Sequence, residues 1–305
     1  MKKVIVTGAA GFLGSHLCDE LLEKGYYVYG FDNFFRGKPS YVPVHKNFKF
    51  FDIDLTEKIS VNIDGDIDMI YHYAAINGTE YFYDIPLQVL DDNIKMIQNI
   101  LEYSKEINVK KIIYTSSSEV YGDNPPIPTN ESEKIILNVD TNRDSYASSK
   151  ALGEFYIKLF CKKYNIDYLI LRPFNTYGPR MDNTKFGQVI PEFIRKLQDP
   201  IFTIIGEGSS TRSFCHVDDH KKLAVMLSED VSNDIVNIGQ DDEISIINLA
   251  STIHLLSEKE FKPEFSTDRE YDTKRRCPDI SKIKNLYPDY KFIDLEEGLK
   301  KELLK

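Results

Sequence analysis

Two side chains suited to proton transfer, Tyr146 and Lys150, lie one helical turn apart in residues 144–150, DSYASSK. Side chains at positions i and i+4 of a helix share one face, which would bring the phenol and the ammonium together. A neighbouring positive charge favours the phenolate, and a phenolate can remove a hydroxyl proton while a hydride leaves the same carbon. Because the chain has 19 tyrosines, this spacing also arises by chance, so the pair needs support from other residues.

A hydroxyl group at the end of a predicted strand supplies that support. The apolar run KIIY at residues 111–114 predicts a strand, and TSSSE follows at residues 115–119. In open α/β sheets, ligands bind outside the carboxyl ends of the strands, so Ser117 is placed to hold a substrate hydroxyl and share its proton. The alternative is an ordinary serine-rich loop.

The elements that must position these residues alternate between strands and helices. Apolar runs typical of strands lie at residues 4–6, 27–31, 48–51, 69–71, 112–114 and 168–171. Helical spacing between them implies crossover units and a parallel sheet with helices on both faces. We therefore predict an α/β fold with a doubly wound parallel sheet in residues 1–173. We predict that residues 174–305 mainly form a smaller C-terminal substrate-binding lobe. The pattern is also compatible with later strands, from about 211–240, that add to the sheet of the first domain.

The first predicted strand leads into a glycine-rich turn, TGAAGFLG at residues 7–14, with Gly8, Gly11 and Gly14 between strand and helix. Glycine permits a tight turn, a missing Cβ lets the backbone approach a pyrophosphate, and a helix N-terminus offers N–H groups to phosphate oxygens. Glycines alone can mark a flexible turn. Between a strand and a helix they predict a dinucleotide site that includes Phe12 and Leu13.

Asp32 ends the second predicted strand and bears on the choice of dinucleotide. A carboxylate there accepts hydrogen bonds from a ribose 2′-hydroxyl and repels a 2′-phosphate, which favours NAD over NADP. Two alternatives stay open. Arg36 is close enough in sequence to accommodate a phosphate, and aspartate is also a common residue in turns that end strands.

Composition narrows the class of protein. The chain has 305 residues and a formal net charge of −10, which opposes nucleic-acid and acidic-membrane binding because both need a basic surface. No apolar run approaches the roughly 18 residues that span a bilayer. The four cysteines form no CxxC pair, so we expect neither a zinc site nor a disulfide framework, and a reducing cytoplasmic setting.

Four segments together resemble the extended short-chain dehydrogenase/reductase family. They are TGAAGFLG at residues 7–14, SSEVYG at 117–122, the Tyr146/Lys150 pair, and RPFNTYGP at 172–179. The resemblance covers nearly the whole chain in the expected order. It implies a Rossmann sheet, tightly held NAD, transient oxidation at sugar C4 and a nucleoside-diphosphate sugar as substrate.

The same resemblance implies homodimers formed through two long helices, here residues 86–106 and 144–164, although their apolar stripes also suit positions that face the core. It matches Ser117 to the catalytic hydroxyl, Tyr146 to the base and Lys150 to its partner. Besides the glycine turn and this pair, the cofactor-lining positions of the family fall on Asp32, Asn33, Asp52, Ile53, Ala74, Ala75, Asn93 and Pro173.

Substrate contacts are expected mainly in the second lobe. The family places diphosphate-binding arginines at Arg212 and Arg269, and guanidinium forks suit phosphate oxygens. Arg276 is a further candidate, Asn175 matches an asparagine that contacts sugar or phosphate, and Arg180 suits either a substrate carboxylate or the bracing of a loop. Ser118 adds a substrate-contacting position in the first lobe. Each arginine is also compatible with a solvated surface position.

The residues after Ser117 separate the possible reactions. Family 4,6-dehydratases carry Asp then Glu there, and Ser118 in place of Asp is a poor proton donor, so dehydration is disfavoured. The Ser118-Glu119 pair resembles UDP-glucuronate decarboxylases, as do residues 174–181 and 279–282, whereas INGTEYFYD at residues 76–84 departs from their serine- and proline-rich segment.

A 4-epimerase requires only Ser117, Tyr146, Lys150, NAD and room for the keto sugar to turn over. We therefore predict a nucleoside-diphosphate-sugar 4-epimerase, with a decarboxylase as the alternative. Glu119 is a catalytic candidate with a role in the decarboxylase, and in the epimerase it is either without an assigned role or a spectator that orders the loop.

Other classes of protein were weighed against this hypothesis. His216 and His220 imitate metal-ligand spacing, but no further Cys/His cluster accompanies them and Asp218 suits a helix cap, so no metal is predicted. A NAD-bound sensor without chemistry is compatible with the fold but has no need of the Ser/Tyr/Lys set. A reductase that uses NADPH is opposed by Asp32.

Overall fold

The structure is a computed structural model that describes residues 1–63, 65–182, 188–267 and 273–304. Its α-helices are α1 Phe12–Glu23, α2 Thr79–Asp84, α3 Pro86–Glu106, α4 Asp144–Tyr164, α5 Val189–Lys196, α6 Val217–Asp230, α7 Ile246–Leu256, α8 Ser281–Leu286 and α9 Leu295–Leu303. Its strands are β1 Lys3–Thr7, β2 Tyr27–Asp32, β3 Phe48–Asp52, β4 Met69–His72, β5 Lys111–Thr115, β6 Asp167–Pro173, β7 Thr176–Tyr177, β8 Phe202–Ile205, β9 Thr211–Ser213, β10 Cys215–His216, β11 Asp234–Ile238, β12 Glu243–Ser245, β13 Pro263–Ser266 and β14 Arg275–Arg276. Short 3₁₀ helices lie at Pro39–Tyr41 and Ser118–Tyr121.

Seven strands form one parallel sheet in the order β11-β6-β5-β4-β1-β2-β3. In β1, Val4, Ile5 and Val6 are fully buried, as expected of a strand covered by helices on both faces. The chain runs outward from β1 in one direction and then returns to build the other side from β4. The predicted doubly wound parallel Rossmann fold is confirmed, and the switch point lies between β1 and β4, where ligands bind in such sheets.

Helices α3 and α4 pack against each other beside this sheet. Ile97 and Ile100 of α3 and Ile157 of α4 are buried in the same apolar cluster. Gly153 lets α4 approach β5 closely, because a Cβ atom there would lie 2.1 Å from the hydroxyl oxygen of Tyr114. The helix that carries Tyr146 and Lys150 is thereby held against the strand that leads to Ser117.

The chain divides into two compact units. The first unit comprises Met1–Val120, Leu137–Arg172 and Lys221–Val236, and the second unit comprises Tyr121–Ile136, Pro173–His220 and Asn237–Lys305. Helix α6 from residue 221 and the start of β11 thus belong to the first unit, whereas β9 and β10 belong to the second.

The second unit has its own small sheets and core. Its strands form a three-stranded sheet, β12-β9-β14, and two pairs, β10-β7 and β13-β8. Its apolar cluster includes Phe193, Ile204, Leu249, Ile253 and Leu299, all of them buried. This packing positions β9 and β14, which carry two of the predicted substrate-contacting arginines.

Candidate active site

The turn between β1 and α1 is tightly closed. Gly8 has a φ of +70°, and a Cβ atom there would lie 2.9 Å from the amide nitrogen of Ala74. At Gly14 a Cβ atom would lie 2.0 Å from the carbonyl oxygen of Gly8, so the turn excludes any larger residue. Helix α1 begins after Gly11, which offers no side chain to cap it. A free first turn of N–H groups beside a closed glycine turn fits a pyrophosphate.

Asp32 at the carboxyl end of β2 braces the same turn. One carboxylate oxygen accepts a hydrogen bond from the Ala10 N–H at 3.0 Å, and the other accepts one from the Phe34 N–H at 2.8 Å. Burial raises the pKa of Asp32, and these N–H donors act in the opposite direction. Each carboxylate oxygen can accept more than one hydrogen bond, so Asp32 fits a ribose hydroxyl while it supports the glycine turn.

Four further predicted cofactor positions lie at this edge of the sheet. Asp52 is the register partner of Asp32 across β2 and β3, and the Ile53 N–H donates to the Asp32 carbonyl at 2.9 Å. The Ala74 N–H donates to Thr7 Oγ1 at 3.1 Å. Asn33 is exposed and accepts a hydrogen bond from the Phe35 N–H at 3.0 Å. The structure therefore gathers these residues around the end of β1 and β2.

Asn93 is buried and connects three elements of the first unit. Its side-chain oxygen accepts from the Ile76 N–H at 2.7 Å, and its nitrogen donates to the Ile76 carbonyl at 3.2 Å and to Ser149 Oγ at 3.0 Å. Ser149 in turn donates to the Tyr146 carbonyl at 2.8 Å. The segment after Ala75 is thereby tied to the helix that carries Tyr146. Pro173, the last predicted cofactor position, ends β6 and is half-buried.

Lys150 is buried, with 3% of its surface exposed. Its ammonium donates to the Thr115 carbonyl at 2.7 Å and lies 5.1 Å from the ring centroid of Tyr114 and 5.8 Å from that of Tyr146. Burial lowers the pKa of Lys150 to about 7. A cation held at this depth by one carbonyl and two aromatic faces is available to act on the tyrosine beside it.

Tyr146 is buried against an aromatic side chain that the sequence did not single out. The ring of Phe82, from α2, stacks on it with centroids 4.9 Å apart and an interplanar angle of 18°. Burial raises the pKa of Tyr146, and the negative charge of Glu119 raises it further. A hydrogen bond with Ser117 and the charge of Arg36 lower it. In the chain alone, burial and the charge of Glu119 outweigh the Ser117 hydrogen bond and the charge of Arg36 in setting the pKa of Tyr146, so the predicted phenolate requires further positive charge.

The segment that carries Ser117 also carries an ion pair. The Glu119 N–H donates to Ser117 Oγ at 3.2 Å, and the Glu119 carboxylate lies 3.4 Å from Nη2 of Arg143, with both side chains about one-quarter exposed. Ser118 is buried. Arg143 precedes the first residue of α4, and no sequence pattern pointed to it as a partner of Glu119.

A second ion pair lies deeper in the first unit. Arg172 donates to both carboxylate oxygens of Glu154, through Nε at 2.8 Å and Nη2 at 2.7 Å, and Ser116 Oγ donates to the same carboxylate at 2.6 Å. The sequence analysis missed this group, although Glu154 lies one helical turn after Lys150 and Arg172 opens the RPFNTYGP segment.

The second unit brings two of the predicted arginines together. Arg212 and Arg276 are register partners across β9 and β14. Arg212 donates to the Thr211 carbonyl at 2.8 Å, whereas Arg276 is only 3% exposed and donates to the Gly122 carbonyl at 3.2 Å. Arg276 was expected to be either a substrate contact or a solvated surface residue, and the structure shows that it is buried. Paired guanidinium groups on adjacent strands suit a diphosphate.

The other predicted substrate positions are more scattered. Asn175 donates to the Ser213 carbonyl at 2.9 Å and so lies next to β9. Arg180 is half-buried and has a φ of +64°. Arg269 lies outside the described residues.

The histidine pair His216 and His220 bears on whether the chain holds a metal ion. The described residues contain no group of three or more His, Cys, Asp or Glu side chains arranged to hold a metal ion. His216 is buried and accepts a hydrogen bond from the Asp218 N–H at 3.2 Å, and His220 is buried in α6. Among the described helices, none combines the length and apolar character needed to cross a bilayer.

The chain matches known proteins over most of its length. The sequence profile of the family described as the NAD dependent epimerase/dehydratase family matches residues 4–239. A UDP-N-acetyl-alpha-D-glucosaminuronate decarboxylase from Bacillus cytotoxicus is 32% identical over 99% of this chain and 97% of its own length. A putative UDP-glucose 4-epimerase from Methanocaldococcus jannaschii is 36% identical over 98% of this chain and 96% of its own length.

Solved structures agree with the fold. The UDP-N-acetylglucosamine 4-epimerase of Methanobrevibacter ruminantium M1, solved with UDP-N-acetylmuramic acid, superposes with a TM-score of 0.89. It is 31% identical, and the match covers 99% of this chain and 97% of that one. The chain is therefore similar over nearly its full length both to epimerases and to a decarboxylase.

Proposed function

Because this chain belongs to the NAD dependent epimerase/dehydratase family, we propose that it is a nucleoside-diphosphate-sugar 4-epimerase that oxidises sugar C4 transiently. The observation that carries the proposal is the buried group formed by Ser117, Tyr146 and Lys150 at the carboxyl end of β5. This group can move a hydroxyl proton, and the glycine turn of the same unit fits a dinucleotide.

The cofactor of the family is NAD, and the residues predicted to hold it, apart from Pro173, lie in the first unit. The turn at Gly8, Gly11 and Gly14 takes the pyrophosphate, and Asp32 takes the adenine-side ribose. Bound there, NAD would supply the hydride acceptor and donor for sugar C4 and, in its oxidised form, a positive charge. Lys150 places an ammonium of the chain itself 5.8 Å from the ring centroid of Tyr146.

The proton of the reaction passes through Tyr146. As the phenolate, its oxygen takes the proton of the C4 hydroxyl as the C4–H bond breaks and becomes the phenol, and the Ser117 hydroxyl donates a hydrogen bond to the same substrate oxygen. After the keto sugar has turned over, Tyr146 returns the proton to the C4 oxygen as the C–H bond forms on the opposite face. The net change is inversion at C4, with no gain or loss of atoms.

Substrate recognition is assigned to the second unit. Arg212 and Arg276 are register partners across β9 and β14, and guanidinium groups suit the oxygens of a diphosphate. Asn175 lies beside them through its bond to the Ser213 carbonyl. The similarity to UDP-sugar enzymes supports a nucleoside diphosphate as the group that these arginines bind.

Two features support the proposal of epimerisation over decarboxylation. Residues 76–84 place Phe82 against the Tyr146 ring, in the segment whose sequence departs from decarboxylases. Glu119 is paired with Arg143, which suits an ordering role. A UDP-glucuronate decarboxylase-like reaction is the second candidate. It is favoured by the Ser118-Glu119 pair, which resembles that of UDP-glucuronate decarboxylases, and by the similarity to the Bacillus cytotoxicus enzyme.

Product analysis separates the two functions. The purified protein is incubated with UDP-, GDP-, dTDP- and CDP-sugars, including UDP-glucuronate, and the products are examined by mass spectrometry and NMR. The proposal expects a product of unchanged mass with inverted C4. Loss of carbon dioxide would transfer the assignment to decarboxylase, and loss of water would show that Ser118 does not prevent dehydration.

We also propose that the protein is a cytoplasmic homodimer that associates through α4. This helix exposes Leu152, Phe155, Tyr156 and Leu159, a row at the i, i+3, i+4 and i+7 positions, and Leu159 is 66% exposed. A row of this kind suits burial against a second copy. The four cysteines are free thiols, which suits a reducing compartment.

Sedimentation velocity tests the homodimer. Leu159→Asp is expected to convert the dimer to a monomer because a carboxylate would be buried at the contact. Leu255→Asp, at a leucine of α7 that is 75% exposed, serves as the matched control and should leave the dimer intact. A monomeric wild type, or equal behaviour of the two variants, would contradict the proposed contact.

A further inference from the structure

Glu154 is a buried carboxylate that the proton-transfer mechanism does not use. It lies in α4 and is 3% exposed. It accepts two hydrogen bonds from Arg172, at 2.8 and 2.7 Å, and one from Ser116 Oγ, at 2.6 Å. Ser116 directly precedes Ser117. The residue that Glu154 holds is therefore adjacent in sequence to Ser117, whose hydroxyl the proposed function places on the substrate.

The contact of Glu154 with Ser116 is the last of three successive bonds between α4 and the end of β5. The Tyr114 hydroxyl donates to the Lys150 carbonyl at 3.3 Å. The Lys150 ammonium donates to the Thr115 carbonyl at 2.7 Å. Ser116 Oγ then donates to Glu154. Three consecutive residues of the strand end are thus bound to one face of the helix.

Arg172 completes the group from the neighbouring strand. It follows Leu171, whose carbonyl accepts a hydrogen bond from the Ser116 N–H at 2.8 Å. Its guanidinium neutralises Glu154 through a bidentate contact, the arrangement that a buried carboxylate needs. The group therefore joins α4, the end of β5 and the end of β6 through one carboxylate.

We propose that Glu154 is a positioning residue that sets Ser117 relative to Tyr146. Tyr146 and Glu154 project from the same helix, two turns apart, and Ser117 continues directly from the residue that Glu154 holds. A displacement of about 1 Å between reacting groups is enough to reduce turnover greatly. The proposal rests on the proposed function in one respect, because it takes Ser117 and Tyr146 as the reacting pair.

Steady-state kinetics of three variants test the positioning role. Ser116→Ala removes one hydrogen bond with little change of volume, and Glu154→Gln replaces a carboxylate oxygen by an amide that faces Arg172. We expect kcat to fall about 5- to 20-fold for Ser116→Ala and about 10- to 100-fold for Glu154→Gln. KM and the content of bound NAD should stay within about twofold of wild type. The double variant should be no worse than about twofold below Glu154→Gln, because both changes break one connection.

A matched control distinguishes positioning from stability. Glu20 is also a buried glutamate of the first unit, 6% exposed, with Lys24 and Lys221 within 3.7 Å. Glu20→Gln should lower the melting temperature and leave kcat unchanged. The proposal is overturned if kcat of both site variants is unchanged, or if their losses are multiplicative in the double variant. It is also overturned if the losses are accompanied by equal loss of NAD.

A second measurement decides the proposal without substrate turnover. If the wild-type protein turns over no sugar of the panel, the proposed function fails, and amide hydrogen exchange of residues 117–120 then tests the positioning claim alone. Faster exchange of this segment in Ser116→Ala, with unchanged exchange in β1, supports it. Unchanged exchange of residues 117–120 overturns it. Ser116→Ala suffices for both measurements if Glu154→Gln does not fold.

Discussion

Two buried lysines lie at opposite termini of β5 and make similar contacts, but they have different roles. Lys111, at the start of the strand, donates to the Ser228 and Val231 carbonyls, both at 2.5 Å. Lys150 donates to the Thr115 carbonyl, at the last residue of the strand, at 2.7 Å. Burial lowers the pKa of both side chains, that of Lys150 to about 7.

The surroundings of the two ammonium groups explain the difference. Lys111 binds carbonyls at the C-terminal end of α6, where a cation satisfies groups that the helix cannot pair itself. Lys150 lies between the rings of Tyr114 and Tyr146, at the carboxyl edge where such sheets bind ligands. The buried ammonium of Lys111 thus stabilises the fold at the start of β5. The buried ammonium of Lys150 serves proton transfer at the other end of the strand.

Lys150→Met tests the lysine at the carboxyl end of β5 and has the larger expected effect of the two lysine variants. Loss of the cation beside Tyr146 should reduce kcat by about 10²- to 10⁴-fold. The same change should stabilise the cofactor-free chain by on the order of 2 kcal/mol at pH 7, since it removes a buried charge. Turnover assays and chemical denaturation of NAD-stripped protein measure the two effects.

The stability gain of Lys150→Met depends on pH in a defined direction. The pKa of Lys150 is about 7 in the folded chain and about 10.4 when unfolded, so the unfolded state binds more protons between these values. Wild-type stability therefore rises with pH across that window. The advantage of the variant should be largest at or below pH 7 and vanish near pH 10.4. A gain that grows with pH would contradict the assignment.

The comparison of the two ends of β5 extends to β1 and β2, where Gly14→Ala tests the glycine turn that follows the carboxyl end of β1. The added Cβ would lie 2.0 Å from the Gly8 carbonyl oxygen, so the turn must open and NAD affinity should fall at least about tenfold, or about 1.4 kcal/mol. Gly25 precedes β2 at the opposite edge, and a Cβ there has open space, with φ of +79°. Gly25→Asn should leave NAD affinity unchanged by calorimetry; an equal loss would refute the assignment.

Lys111→Met tests the structural role of the lysine at the start of β5. Removal of the ammonium leaves the Ser228 and Val231 carbonyls without their donor, so the free energy of unfolding should fall by about 1–3 kcal/mol. Turnover at a temperature where the variant is folded should stay within twofold of wild type. A loss of kcat without a loss of stability would show that the two ends of β5 are not distinct in role.

Glu119→Gln has the smallest expected effect and sharpens the account of Tyr146. Because the charge of Glu119 raises the pKa of Tyr146, its removal should move the acid limb of kcat/KM to lower pH by about 0.5–1 unit, or about 0.7–1.4 kcal/mol. Glu102→Gln, at an exposed glutamate of α3, should leave the profile unchanged. A shift to higher pH would contradict the electrostatic role.

The sequence predicts the sheet and helices well because their signals are local. Apolar runs and helical spacing anticipated β1, β2 and β4, and the expected helices at 86–106 and 144–164 coincide with α3 and α4. The glycine turn carries its own steric reason, visible in the 2.0 Å approach at Gly14. The carboxyl ends of parallel strands meet at one edge, so the sequence alone could predict that Ser117 lies near Tyr146.

The partners of these residues were not predictable in the same way. The stack of Phe82 on Tyr146 joins segments far apart in sequence, and neither residue type requires the other. The Arg172–Glu154 and Arg143–Glu119 pairs likewise depend on how α4 meets the strand ends. Composition gives 38 basic and 48 acidic side chains, and no spacing rule selects these pairs from the many possible ones.

Substitution of Tyr146 by phenylalanine tests the central claim most directly. The variant keeps the ring that stacks on Phe82 and removes the hydroxyl that exchanges the substrate proton. With the substrate identified in the panel, Tyr146→Phe should lower turnover by about 10²- to 10⁴-fold, measured by NMR of the sugar C4 configuration, while the protein retains its bound NAD. Turnover equal to that of the wild type would contradict the mechanism.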